Sequence, residues 1–416
     1  MNLTRLSWLV VCLIVLCGAV SASPQSQDSS QSATTVASVK KPRHKRRRRR
    51  TTVAHTSVHT VATTSPSAST TRAAVIHTSI HRRSRHISSP WTEPTYADST
   101  VGDNVDGEDL VVRRAAVDGL GPYNGSVIVA DAQTGRILTI VNQKLALTGA
   151  YQPCSTIKLV VSLASLNEGI VSPTSRVRLT RRFSIDMTYA LAHSNNYYFA
   201  RLGEELGFDR VEKYAKLFGL GEKAGLDIAG EDPGYLANEP PRSGVGMMTS
   251  FGDGIRLTPL QLTSIVMAIA NGGTLYYLQY PRSQEEVEKF VPRIKRELDI
   301  ANLIPEIKPG LMGAVEYGTA RRANYDPSEP IYGKTGTCTD TTNPGVHLGW
   351  FGSFNDVGQK KLVVVVLLTG GRGVSGGVAA GIAGSIYHNL AAQHYFGPDK
   401  FQVPTTLVSM QTRSFE

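Results

Sequence analysis

The sequence predicts an α+β protein: a single antiparallel sheet flanked by helices, with an inserted all-helical lobe. Three observations predict it. A two-strand hairpin opens the patterned part of the chain, a long stretch of helical spacing follows, and three strands with a closing helix come last. A sheet assembled from both ends of the chain, with the helices inserted between, accounts for that order with the fewest elements.

The hairpin joins residues 126–131 to residues 136–141, two β-branched runs separated by the turn Ala132-Gln133-Thr134-Gly135. Pro153 precedes residues 155–167, where Ile157, Val160, Val161, Leu163 and Leu166 recur at helical spacing and Gly169 supplies a stop. Residues 197–206 and 211–218 are amphipathic helices, the second followed by Gly219. Thr258-Pro259 opens another, closed by Asn271-Gly272-Gly273. Residues 332–339, 347–354 and 362–369 are the three late strands, and residues 378–395 form the last helix. The charged segment 282–308 reads either as a lid or as a surface excursion.

The chain has 416 residues, and its net charge of +10 is unevenly spread. Up to Ala115 there are 16 Lys and Arg against 7 Asp and Glu, leaving 28 against 27 for the remainder. A nearly neutral C-terminal part lacks the basic face a nucleic-acid-binding domain needs, so no nucleic-acid partner is expected. Residues 6–22 are apolar or small, with Arg5 before them and Val20-Ser21-Ala22 at the exit, the three parts of an export signal. This segment either is cleaved near Ala22 or anchors the chain in the cytoplasmic membrane; both place the protein in the periplasm or cell envelope. Val11 and Leu16 precede Cys12 and Cys17 where a lipoprotein signal has a small residue.

Residues 23–112 read as a disordered, Ser/Thr-rich tether. Residues 40–50 hold nine basic residues in eleven, a block that repels itself and stays solvated. It is either a spacer or an electrostatic hold on an anionic membrane or wall surface. The acidic cluster from Asp103 to Asp109 closes the tether, and six histidines between His44 and His86 lack metal spacing. The organisation is therefore signal or anchor at 1–22, tether at 23–112 and folded domain at 113–416.

Three motifs carry chemistry. In Ser155-Thr156-Ile157-Lys158, positions i and i+3 share a helix face, so the amine can reach the hydroxyl. Serine becomes a nucleophile when a base takes its proton, and lysine can be that base once its pKa is lowered. Ser194-Asn195-Asn196 lies 39 residues on; it supplies a second hydroxyl and an amide that can orient Lys158, or simply caps a helix. In Lys334-Thr335-Gly336-Thr337, Gly336 lets a substrate backbone lie along the strand edge, or marks a bulge. Lys334, Thr335 and Thr337 are candidate carboxylate binders. Each motif alone is weak; their order on helix, helix and strand is specific.

With these motifs the sequence resembles a penicillin-binding protein transpeptidase domain, the serine acyl-enzyme family that also includes class A and D β-lactamases. The resemblance covers residues 126–395 and extends to Ser250-Phe251-Gly252-Asp253-Gly254, Gly318-Thr319-Ala320, Trp350-Phe351, and Gly376-Gly377 with Ala379-Ala380. It implies that Ser155 attacks the penultimate D-Ala of a peptidoglycan stem peptide, with Lys158 as base, Ser194 as proton relay and Asn196 orienting Lys158. The backbone N–H groups of Ser155 and Thr337 would form the oxyanion hole. Lys334, Thr335, Gly336 and Thr337 would bind substrate, and β-lactams would acylate the same serine. No metal or organic cofactor is implied. Neither the acceptor amine nor the oligomeric state is written in these motifs.

Two features depart from the family. Cys154 stands where transpeptidases usually have Gly, and Cys338 follows the third motif. Some class A carbapenem-hydrolysing β-lactamases join cysteines at these places, so the resemblance implies a Cys154–Cys338 disulfide, with two free thiols as the alternative. Class B transpeptidases usually carry a folded pedestal before the catalytic domain, where this chain has the tether. The rival activities are a β-lactamase, a D,D-carboxypeptidase and a non-catalytic β-lactam sensor. A class A enzyme would need Glu-x-x-Leu-Asn between the second and third motifs, which is not found, and class D usually has Val at position 196. His193 and His347 are expected to be structural rather than the base, and Asp253 replaces a more usual Gln.

Overall fold

Nine consecutive buried residues, Leu362–Gly370, form the central strand of the fold. The computed structural model describes residues 90–397. The expected export signal and the expected tether up to residue 89 lie outside the described residues. In chain order the principal elements are α1 (Leu110–Leu120), β1 (Gly125–Asp131), β2 (Ile137–Val141), α2 (Lys158–Asn167), α3 (Asn196–Leu206), α4 (Pro259–Ala270), α5 (Ile304–Glu316), β3 (Ile331–Thr339), β4 (His347–Asn355), β5 (Leu362–Gly370) and α6 (Gly376–Ala392). The five strands make one antiparallel sheet in the order β2-β1-β5-β4-β3. Early and late strands of the described region thus build one sheet, and β3 lies at its edge.

Alternation along β5 divides the core in two. Val363, Val365 and Leu367 join Ile265 and Val266 of α4 on one face. Leu362, Val364, Val366 and Leu368 join Val112 and Ala116 of α1 and Ala379 and Ala383 of α6 on the other. A strand covered on both faces reads as an unbroken apolar run, which is why its ends were legible. α4 begins with a capping box between Thr258 and Gln261. Small residues on α6 let other backbone approach: a Cβ at Gly384 would collide with the Ala323 carbonyl.

Between β2 and β3 most of the regular elements are helices, but the segment is not all-helical as the sequence predicts. Val177–Thr180 pairs with Phe183–Ile185, Tyr235–Leu236 with Ile255–Arg256, and Thr274–Tyr276 with Ile294–Glu297. These runs of two to four residues are too short to show alternation. The last pairing pins the charged segment after Arg282 as a surface excursion.

The folded region also begins earlier than Arg113. Thr92 donates its N–H to Gly345 O at 2.8 Å, and Ala97 to Pro122 O at 3.0 Å. The acidic cluster is structural rather than solvated. Asp103 accepts from Arg113 Nη2 at 2.7 Å and from the Gln143 N–H at 2.8 Å. Glu108 accepts from Thr139 Oγ1 at 2.7 Å and from the Ile140 N–H at 2.9 Å. Asp109 caps α1 through the N–H groups of Val111 and Val112. These carboxylates tie the chain to β2 and balance the buried guanidinium of Arg113.

Candidate active site

The turn that carries Ser155 is held from several sides. Gln152 accepts from the Trp350 indole at 3.0 Å through its carbonyl and donates to Phe251 O at 3.0 Å through its side chain. A 3-10 turn, Cys154–Ile157, then runs directly into α2, so Ser155 and Lys158 sit at the entry of a buried helix. Cys154 adopts φ 51° and Ser194 φ 53°. A non-glycine residue in that left-handed region costs about 1–2 kcal/mol, a strain that concentrates at functional sites. Asn195 is the N-cap of α3, accepting from the Tyr198 N–H at 2.9 Å. The cap therefore falls to the middle residue of the second motif, leaving Ser194 and Asn196 to face Lys158.

Lys158 Nζ is the hub. It lies 2.9 Å from Ser155 Oγ, 3.1 Å from Ser194 Oγ and 2.6 Å from Asn196 Oδ1. It also donates to Ser194 O at 2.9 Å, and the Phe199 ring centroid is 5.3 Å away. Burial pushes the Lys158 amine well below its ordinary range, and the neighbouring Lys334 adds to the shift. Lys334 is also fully buried; desolvation lowers its amine to about 7. Its Nζ donates to Ser194 Oγ at 2.8 Å and to Thr335 O at 3.0 Å.

The edge strand distributes the third motif between two faces. Lys334 turns toward Ser194, Gly336 packs on the Ser155 turn, and Cys338 meets Cys154. The intervening threonines point the other way. Thr335 Oγ1 is 2.7 Å from Thr319 Oγ1, and Thr337 Oγ1 accepts from the Gly376 N–H at 2.8 Å. A groove of about 450 Å³ brings Ser155, Ser194, Asn196, Thr335 and Thr337 together with Phe251, Thr319, Arg322, Ser375 and Gly377.

A family model described as the penicillin binding protein transpeptidase domain matches residues 125–388, more than half of the chain. The chain belongs to the penicillin-binding protein transpeptidase family. It is 30% identical over 312 residues to stage V sporulation protein D of Bacillus subtilis, covering 67% of this chain and 48% of that protein. It is 22% identical to the peptidoglycan D,D-transpeptidase MrdA of Haemophilus influenzae, covering 78% of this chain and 61% of that one. Among solved structures, Pseudomonas aeruginosa PBP2 in complex with WCK 5153 shares the fold, with a TM-score of 0.60 at 22% identity. That match covers 70% of this chain and 79% of the solved one. The chain spans about half the length of the first of these curated relatives.

Within this penicillin-binding fold, Gly336 also has a packing reason. A Cβ there would lie 2.9 Å from Pro153 O and 3.2 Å from Thr156 Cγ2. The glycine lets the edge strand approach the Ser155 turn. Cys154 and Cys338 have Cα atoms 5.6 Å apart and sulfurs at disulfide distance. His193 lies between Tyr189 and Tyr317, with ring centroids at 4.3 and 5.7 Å. His347 has Nδ1 3.2 Å from Thr339 Oγ1, and burial lowers its pKa. Lys158, not a histidine, contacts the Ser155 hydroxyl. Asp253 accepts from Ser243 Oγ.

Sequence reasoning missed Phe199, which lies beside Lys158, and Thr319 and Arg322, which line the groove. Phe199 falls one helical turn after Asn196, a spacing that could have placed it beside Lys158. Thr319 lay inside a recognised segment, but only the fold brings it to Thr335.

Proposed function

We propose that this protein is a peptidoglycan D,D-transpeptidase that works through a serine acyl-enzyme and is acylated by β-lactams. The observation that carries the proposal is the buried Lys158 amine, 2.9 Å from Ser155 Oγ and lowered in pKa by its surroundings. Neutral Lys158 takes the Ser155 proton as Oγ attacks the carbonyl of the penultimate D-Ala. Ser194 Oγ, between Lys158 and Lys334, hands its proton to the departing D-Ala nitrogen and takes the one Lys158 holds, which returns Lys158 to the neutral amine. The C–N bond breaks, D-Ala leaves, and an ester to Ser155 remains. An amine of a neighbouring stem peptide then attacks the ester, forming the cross-link and returning the serine.

Asn196 holds Lys158 in place through the 2.6 Å contact to its Oδ1. The N–H groups of Ser155 and Thr337 stabilise the tetrahedral oxyanion. Lys334, Thr335 and Thr337 bind the terminal carboxylate, with Gly336 keeping the strand close to the nucleophile. The helices between β2 and β3 serve as the lobe that carries the second motif. In the oxidising envelope, Cys154 and Cys338 form a disulfide that braces the nucleophile turn against β3. Export through residues 1–22 places the domain beside its substrate, and the basic run at 40–50 holds it near anionic membrane or wall polymers.

The test supplies a D-Ala-D-Ala-terminated stem pentapeptide and a second stem peptide as acceptor, with products resolved by mass. A cross-linked product with released D-Ala supports the proposal. D-Ala release by hydrolysis alone makes the protein a carboxypeptidase, and no release contradicts both activities.

A further inference from the structure

Between the first and second motifs the chain forms a charged hairpin that the acyl-transfer chemistry does not use. From Val171 to Ile185 there are four arginines and no acidic residue. Val177–Thr180 pairs with Phe183–Ile185, and Arg181 and Arg182 make the turn. Alternation sorts the side chains. Val177, Leu179 and Ile185 join the core, while Arg176, Arg178 and Thr180 are exposed. Phe183 lies opposite Thr180 and is 46% exposed.

The charge at the hairpin's end has no answer within the fold. Arg176 is held by Asp186 at 3.3 Å. Among the described residues, nothing accepts from the guanidinium groups of Arg178, Arg181 and Arg182. Glu168, the acidic residue before the hairpin, is paired with Arg210 and Lys213. Three like charges so close together repel one another and attract an external anion. Phosphate groups alone would satisfy the arginines and leave the Phe183 ring in water. A phospholipid surface takes both, with headgroups against the guanidinium groups and the ring at the acyl boundary. The hairpin is also firmly mounted. Asp186, which holds Arg176, caps the helix Met187–Ala192 by accepting from the Tyr189 N–H at 2.8 Å, and that helix leads into Ser194.

We infer that the end of this hairpin, Arg178, Arg181, Arg182 and Phe183, docks on an anionic phospholipid surface. The folded domain makes this contact itself, separately from the basic run at 40–50. Through Asp186 the contact fixes how the segment carrying Ser194 is turned relative to the lipid. No reacting atom is touched.

The test places a fluorophore at the contact. The full chain carrying Phe183→Trp is mixed with vesicles of phosphatidylglycerol or of phosphatidylcholine, with and without brominated acyl chains, and the wild-type emission is subtracted. The expected result is a blue shift of the residue-183 emission, with quenching by brominated lipid, on phosphatidylglycerol alone. Adding Arg178→Ser, Arg181→Ser and Arg182→Ser together removes both signals at an unchanged urea midpoint, and lysine at the same three positions keeps them. The run at 40–50 is intact in every variant, so vesicle binding that leaves residue 183 unshifted overturns the inference. An equal shift on both lipids, or loss of the shift in the lysine variant at an unchanged midpoint, overturns it too. No shift on any vesicle, with retention on immobilised poly(glycerol phosphate) that the serine variant loses, makes the partner a wall polymer and overturns the membrane contact.

Discussion

Burying Lys334 makes stability depend on pH, with a definite sign. The side chain is fully buried and its amine is lowered to about 7, whereas the unfolded chain keeps that proton up to the ordinary lysine range. Below about pH 7 both states carry the proton and the desolvation penalty is complete; above about pH 10.5 neither does and the penalty vanishes. Between these limits the unfolded chain binds more protons, so stability rises with pH. Integrating from pH 7 to 9 for one such group gives a gain of roughly 2 kcal/mol. Lys158, shifted in the same direction, adds to it. Urea melts of the full chain at pH 7, 8 and 9, beside Lys334→Met, measure the effect. The wild type should gain at least that amount, and the variant should be more stable at pH 7 and gain less by roughly 2 kcal/mol. A flat or falling wild-type profile, or an equal slope in the variant, refutes the desolvation argument.

Other parts of the structure give equally specific expectations. Gly336→Ala places a Cβ against the Pro153 carbonyl, so it should cost about 1–3 kcal/mol and slow acylation, read by melts and a fluorescent penicillin. Cys154→Ser should destabilise the protein by up to roughly 5 kcal/mol in the chain-entropy model. An unchanged urea midpoint would mean that the pair is two thiols. A chain beginning at Arg113 leaves that arginine buried without Asp103 and Glu108, and should lose about 3–5 kcal/mol against one beginning at Pro90; equal midpoints would restore the tether reading. Lys158→Met should lower the acylation rate about 100- to 10,000-fold, and a rate within tenfold of wild type would remove Lys158 as the base.

What the sequence revealed depended on how local the signal was. The late strands were readable because apolar runs bounded by turns carry their own limits, and residues 332–339 differ from the observed Ile331–Thr339 by one position. The reach of Lys158 to Ser155 follows from helical spacing alone. The reach of both to Ser194 and Asn196 does not; it was inferred from a family resemblance. The acidic cluster misled because its partners, Arg113, Thr139 and Ile140, are distant in sequence or hidden in apolar runs, so composition resembled a solvated linker. The positive φ of Cys154 and Ser194 left no trace in residue type, since neither is glycine. Alternation along Lys334 to Cys338 was present in the sequence. Only the fold shows that one face meets the nucleophile turn and the other faces Thr319 and the start of α6.

The most direct test is the intact mass of the full chain followed over time after mixing with benzylpenicillin. The account predicts one persistent penicilloyl adduct, absent in Ser155→Ala. An adduct that forms and clears with turnover would make the protein a β-lactamase, and no adduct, or one that survives Ser155→Ala, would contradict the Ser155–Lys158 mechanism.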